Sequence, residues 1–232
     1  MKNNTIKIDI VSDVACPWCY VGKRRFEAAL KVWNGAPIEV NWHPFQLDPS
    51  MQPEGMDRDT FLEHKFGGAD KSSDMLNHLT SIGKEEGIEF NFGGDWLVVN
   101  TLHLHQLLHV ANSEGIGVEM KERFLKAYFE ESLHLNKPEV LYAILKDFGW
   151  DKEKIDTIIK DFEIAKKVKA EIAHYQKLGV SGVPYFIIND KYGMSGAQTS
   201  QVFLEAFKSV EKEVLTATAA AGETCDPETG AR

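Results

Sequence analysis

Two cysteines separated by two residues, Cys16-Pro17-Trp18-Cys19, sit where a strand-like run gives way to a helix-like one. The run before them, Ile6-Lys7-Ile8-Asp9-Ile10-Val11, is rich in β-branched residues, and the run from Val21 to Leu30 spaces its apolar residues as a helix does. Pro17 suits the first helical position, where a missing N–H costs nothing. Cys16 then falls at or beside the N-cap, where its sulfur meets free amides and the positive end of the helix dipole. Both favour thiolate over thiol, and the thiolate is the nucleophile. Cys19 lies about one turn along the same face. The spacing predicts a nucleophilic thiol and a resolving thiol that close a short, reversible disulfide.

Half a zinc site and a buried structural pair are the alternative readings. A structural zinc takes four ligands, and the third cysteine of the chain, Cys225, stands in a small, polar C-terminal stretch, so no metal is expected. Pro-Trp between the cysteines does little for core packing. The chain has 232 residues, a formal charge of −9, 43% hydrophobic and 26% charged residues. That composition is globular and argues against nucleic acid or an anionic membrane as partner. No apolar run reaches the length of a membrane span, no secretory leader is expected before the first strand, and three cysteines suit a reducing compartment. A cytoplasmic location is expected.

Thr5–Ser12 reads as a buried strand, Cys16–Trp33 as a helix stopped at Asn34-Gly35, and Pro37–Phe45 as a second strand. Such a strand–helix–strand unit crosses over right-handed. From Asp57 to Leu178 the pattern is almost wholly helical, with helices expected from Asp57 or Asp59 to Phe66, Asp70–Glu86, Leu102–Ala111, Val118–Ser132, Pro138–Phe148, a short one from Asp151, and Asp161–Leu178. This block is too long for a loop and reads as an inserted subdomain. Val183–Ile188 and Lys191–Ser195 form a hairpin about Asn189-Asp190, and Gln198–Val214 is the last helix. The expected division is 1–48 and 179–216 for two parts of an α/β domain, 49–178 for a helical insertion between the second and third strands, and 217–232 for a mobile tail.

Several stretches together carry a family likeness: Ser12 to Gly22 around the dithiol, Trp42-His43-Pro44-Phe45-Gln46-Leu47, Asn100-Thr101 with His105, Gly179 to Phe186, and Ser195-Gly196-Ala197-Gln198. The chain resembles the DsbA-like thioredoxin superfamily, and within it the FrnE-like oxidoreductases. The resemblance implies a thioredoxin-like fold and a cis Val183–Pro184 bond facing the dithiol. Val183 backbone groups exposed there would hold an extended substrate by strand-like hydrogen bonds. It also implies that Asn100, Thr101 and His105 face the active-site groove. On the residues alone, Asn100 is an N-cap and Thr101 a first-turn residue. Pro17 and Trp18, between the cysteines, are expected at the substrate.

The implied activity is thiol–disulfide exchange or isomerisation through Cys16 and Cys19, with no flavin, nicotinamide or metal. Its partners would be a protein or small molecule bearing thiols or disulfides, glutathione among them, and an unidentified redox partner. Scattered apolar residues on the insert are compatible with a homodimer. Two rival readings stand beside it. Kappa-class glutathione transferases and 2-hydroxychromene-2-carboxylate isomerases share the topology, but typically carry a serine and lack the dithiol. A redox sensor or chaperone-like binder would use the helical insert to hold clients.

Other residues keep two readings each. Lys23, Arg24 and Arg25 either support a thiolate or form a solvated face. Asp13 caps the helix or opposes a thiolate. Tyr20 is core or substrate contact, and His43 a proton relay or structural. His103, His105 and His109 lie at helical spacing without a carboxylate or cysteine to complete a metal set. Cys225 is an inert thiol or one open to mixed disulfides.

Overall fold

The structure is a computed structural model that describes residues 5–67, 69–93 and 97–222. Its main sheet has the order β2-β1-β5-β6. β1 (Ile6–Ser12) pairs in parallel with β2 (Ile38–Pro44) and antiparallel with β5 (Tyr185–Ile188), which continues antiparallel into β6 (Tyr192–Ser195). β1 is therefore central, and its Ile/Val content is that of a strand covered on both faces.

Ile6, Ile8 and Ile10 point to one face, against α1 (Pro17–Val32) and α9 (Ser200–Gly222). Phe26, Phe186, Phe203 and Phe207 fill that layer, with Phe186 and Phe203 rings 4.7 Å apart. Truncating one such ring to alanine costs about 3–5 kcal/mol. Val11 takes the other face with Phe45, Tyr175 and Val180, beneath α8 (Phe162–Lys177).

Between β2 and β5 the chain runs through α2 (Arg58–Phe66), α3 (Ala69–Glu85), α4 (Leu102–Ser113), α5 (Gly117–Phe129), α6 (Pro138–Leu145), α7 (Lys152–Lys160) and α8. Aspartates start three of them. Asp57 accepts from Thr60 N, Asp151 from Lys154 N, and Asp161 from Glu163 N and Ile164 N. Gly67 closes α2 at φ +77°, where a side chain would be strained. The expected helical insertion also contains a two-residue antiparallel ladder, β3 (Met56–Asp57) with β4 (Leu97–Val98). Its core, built on Leu104, Leu107, Met120, Phe124 and Phe129, is continuous with Val14, Tyr20 and Val21 around the dithiol. The insertion is thus seated directly on the active-site helix.

One helix end matches the expectation and one does not. α1 ends at its cap Trp33, whose N–H bonds Ala29 and Leu30 carbonyls while Nε1 donates to Ala36 O, just before Asn34-Gly35 as expected. α9 continues past Thr216 to Gly222 through an alanine-rich run of high helix propensity, so the tail expected from residue 217 begins as helix. Cys225 lies outside the described residues. Among the described residues no helix is long and apolar enough to cross a membrane.

Candidate active site

Cys16 is the N-cap of α1 and Pro17 its first residue. The Cys16 sulfur accepts from Cys19 N–H at 3.3 Å, satisfying one of the amides a helix start leaves free. Its own S–H donates to the Val183 carbonyl at 3.5 Å, and the Val183–Pro184 peptide is cis. Pro184 is buried and packs on α1 at Gly22, where a Cβ would stand 2.9 Å from Pro184 Cγ. Gly22 is a residue whose part the sequence did not reveal. It lets the Val183–Pro184 segment come down onto the dithiol.

Both sulfurs are buried, Cys16 at 3% and Cys19 at 1% exposure, with Cys16 opening on a groove of about 330 Å³. Pro17, Trp18, Thr101 and Val183 line this groove beside Cys16. Its far wall is apolar and comes from the insertion: Phe61 and Leu62 of α2, Met75, Leu76 and Leu79 of α3. Cys19 sits behind Cys16, away from the opening.

Burial opposes charge on either sulfur. Against it, the hydrogen bond from Cys16, the Ser12 hydroxyl and the Lys121 charge lower the pKa at Cys19. Burial, the Cys19 hydrogen bond and the Cys19 charge push Cys16 well above an ordinary thiol. These values belong to the pair: its first proton leaves more easily than from a free thiol, and its second with far more difficulty. The Cys19 N–H and the helix dipole draw the remaining charge toward Cys16, while Ser12 and Lys121 draw it toward Cys19.

Asp13 does not cap α1; its charge opposes a thiolate on Cys16. Its buried carboxylate accepts from Leu47 N at 2.8 Å and lies 3.2 Å from His105 Nε2, which also donates to Phe45 O at 2.8 Å. Burial alone would raise the Asp13 pKa; His105, Leu47 N–H and Thr101 outweigh it and hold the carboxyl below the usual range. His105 is thus buried behind the site instead of facing the groove. Asn100 does not line the groove either. Its side chain donates to Met51 O at 2.7 Å and accepts from Gln46 and from Leu102 N, both at 3.0 Å, which fixes the start of α4. Of that trio, Thr101 alone reaches the groove.

The basic run on α1 is spent on structure. Lys23, only 2% exposed, bonds Glu27 and Glu122 at 2.6 Å each; Arg24 joins Glu122, and Arg25 bonds Glu86 and the Ala197 carbonyl. Tyr20 is core, with its ring on Phe90 and Phe129 and its hydroxyl donating to Glu130 at 2.6 Å. His43 bridges Glu171 at 2.6 Å and Asp9 at 3.0 Å, well away from the groove. No cluster of three or more His, Cys, Asp or Glu among the described residues is arranged to hold a metal ion.

The comparisons agree with this architecture. The DSBA-like thioredoxin domain family matches residues 7–208. A probable DsbA oxidoreductase from Streptomyces coelicolor is 31% identical, covers 97% of this chain and 93% of its own, and superposes with a TM-score of 0.80. Two more distant structures share the fold. A 2-hydroxychromene-2-carboxylate isomerase is 14% identical over 93% of this chain and 98% of its own, with TM-score 0.66. The cytosolic disulfide reductase DsbM from Pseudomonas aeruginosa, solved with GSH, is 18% identical over 92% and 99%, with TM-score 0.60. With its central strand, N-capping cysteine and proline-bounded groove matched over nearly its whole length, the chain belongs to the DSBA-like thioredoxin domain family.

Proposed function

We propose that the protein is a thiol–disulfide oxidoreductase that works through Cys16 and Cys19. The observation that carries this reading is the asymmetry of the pair. Cys16 opens on the groove beside the Val183 carbonyl, and Cys19 lies behind it within reach of the same bond. A transferase or isomerase acting through one polar side chain would leave Cys19 idle.

In the oxidising direction, a substrate thiolate attacks Cys16 Sγ in the Cys16–Cys19 disulfide, and Cys19 leaves as a thiolate. A second substrate thiolate then attacks the substrate sulfur of the mixed disulfide and releases Cys16. In the reducing direction, the Cys16 thiolate attacks a substrate disulfide and Cys19 displaces the substrate. No step needs a metal or an organic cofactor. The apolar groove wall favours a protein or small molecule whose cysteine is flanked by apolar groups. Glutathione, a small thiol, serves as exchange partner. The insertion, residues 49–178, supplies that wall. Three cysteines and an acidic chain fit work in a reducing, cytoplasmic compartment.

The test is equilibration over a glutathione redox series with thiol trapping and mass analysis. One two-electron transition confined to Cys16 and Cys19 is expected. A potential near or above about −200 mV marks a disulfide donor or isomerase, one near about −270 mV a reductant. Failure of the pair to form a disulfide at any ratio would overturn the reading.

A further inference from the structure

A second cavity, of about 310 Å³, lies in the insertion among α4, α6 and α7 and shares no lining residue with the redox groove. Leu102 of α4, Pro138 and Leu141 of α6 and Ile159 of α7 give it apolar walls. Its polar atoms come from Asn100, His103, Gln106 and Asn136. Among the described residues, no Asp, Glu, Lys or Arg lines it.

Gln106 is 3% exposed. Its Nε2 donates to the Ile158 carbonyl at 3.0 Å and to those of Ile159 and Asp161 at 3.2 Å. These bonds fix which way the amide faces. The nitrogen is used at the α7–α8 junction, and among the described residues Oε1 accepts from nothing. Asn136 repeats the pattern: Nδ2 donates to Glu54 O at 2.7 Å, and its buried Oδ1 has no partner. Leaving a buried amide oxygen unpaired is costly. The other polar side chains are occupied. Asn100 donates to Met51 O and accepts from Gln46 and Leu102 N. His103, held neutral by burial, bonds Leu135 O at 2.8 Å through Nε2. The cavity therefore offers acceptors, no free side-chain donor and no fixed charge.

We propose that this cavity is a binding site for a neutral fused-ring heteroaromatic with an N–H donor, of the chemical class of indole. The N–H meets Gln106 Oε1, and the rings lie against Leu102, Leu141 and Ile159. Size selects the two rings, since a cavity of about 150 Å³ takes one benzene ring. Charge excludes the ionic alternatives: an ammonium would be stripped of water with no carboxylate to meet it, and a carboxylate would face the Gln106 oxygen. A hydrocarbon of the same shape suits the walls but leaves that oxygen unpaired, so the site discriminates between the two. Asn100 and Leu102 line this cavity, while Thr101 between them lines the redox groove, so the two sites lie on either side of one short segment. The site stands independently of the exchange chemistry at Cys16 and Cys19.

The test titrates indole, and indene as its isostere with CH₂ in place of N–H, into the full chain, with backbone and side-chain amides followed by NMR. Indole should bind with a Kd of about 0.1–1 mM and shift the Gln106 side-chain amide and the backbone amides of Leu102 and Leu141. Indene should bind at least about tenfold more weakly. Ile159→Trp, a change at a half-buried position that fills the cavity from its own wall, should weaken indole binding by about tenfold or more. Equal affinity for indole and indene overturns the proposal, as does unchanged indole affinity in a folded Ile159→Trp protein. Shifts confined to Trp18 and its neighbours in the redox groove overturn it too, as does the absence of any shift at about 5 mM indole. If Ile159→Trp does not fold, the ratio of indole to indene affinity in wild type, read at Gln106, decides.

Discussion

Gly22 of α1 and Pro184 are in such close contact that a Cβ on Gly22 would lie 2.9 Å from Pro184 Cγ. The contact holds the Val183 carbonyl 3.5 Å from the Cys16 sulfur. Gly22→Ala gains helix propensity of roughly 1 kcal/mol and incurs an overpacking cost of about 1–3 kcal/mol, so stability falls by about 0–2 kcal/mol. Exchange with a peptide substrate should nevertheless fall about tenfold, because the Val183 carbonyl moves away from Cys16. Unchanged exchange kinetics in a folded Gly22→Ala protein would show that the contact does not position the site.

Asp13 links the dithiol segment to the insertion through Leu47 N–H and His105. Its folded pKa is depressed below 3.8, so its contribution is present above that value and is lost as pH falls through the folded pKa. Asp13→Ala leaves Leu47 N–H without its acceptor and His105 with only the Phe45 carbonyl, and should cost about 1–3 kcal/mol at pH 7, read by denaturant unfolding. The gap from wild type should narrow below pH 4.

Glu122 gathers Lys23 and Arg24 across 99 and 98 residues of chain. Lys23 keeps Glu27 when Glu122 is lost, and Glu122 itself is partly exposed, so the full cost of breaking a buried pair does not apply. Glu122→Ala should lower stability by about 1–2 kcal/mol, seen as a Tm drop of a few degrees. It should leave the Cys16–Cys19 potential in place.

His43 titrates the other way. Burial alone would lower its pKa, but Glu171 and Asp9 raise it above 6.5. Its contribution is therefore fully present below pH 6.5 and lost as pH rises through the folded value. Glu171→Gln should bring the His43 titration, followed by NMR, back toward 6.5. It should also reduce the alkaline loss of stability by about 1 kcal/mol.

These residues mark what was legible in the chain. Cys16 at an N-cap, Pro17 at the helix start, and the caps Asp57, Asp151 and Asp161 depend on neighbours within three residues, so spacing alone reveals them. The central placement of β1 follows from its unbroken apolar content. The cis Val183–Pro184 bond came from family likeness, since trans dominates for prolines in general. Lys23 looked like a solvated residue because its partner Glu122 lies on an element with no sequence link to α1. His105 and Asn100 carry polar side chains at helix-start positions, but whether such a side chain faces a groove or a buried carbonyl is decided by tertiary structure. The β3–β4 ladder, two residues on each side, is too short to show a period.

The most direct measurement is trapping of a mixed disulfide with a peptide that carries one cysteine beside apolar residues. Cys19→Ser, incubated with the peptide's disulfide form, should accumulate a stable adduct at Cys16, identified by mass. Wild type should resolve it, and Cys16→Ser should form none. An adduct at Cys19, or equal turnover by Cys19→Ser and wild type, would contradict the assignment of Cys16 as nucleophile and Cys19 as resolving thiol.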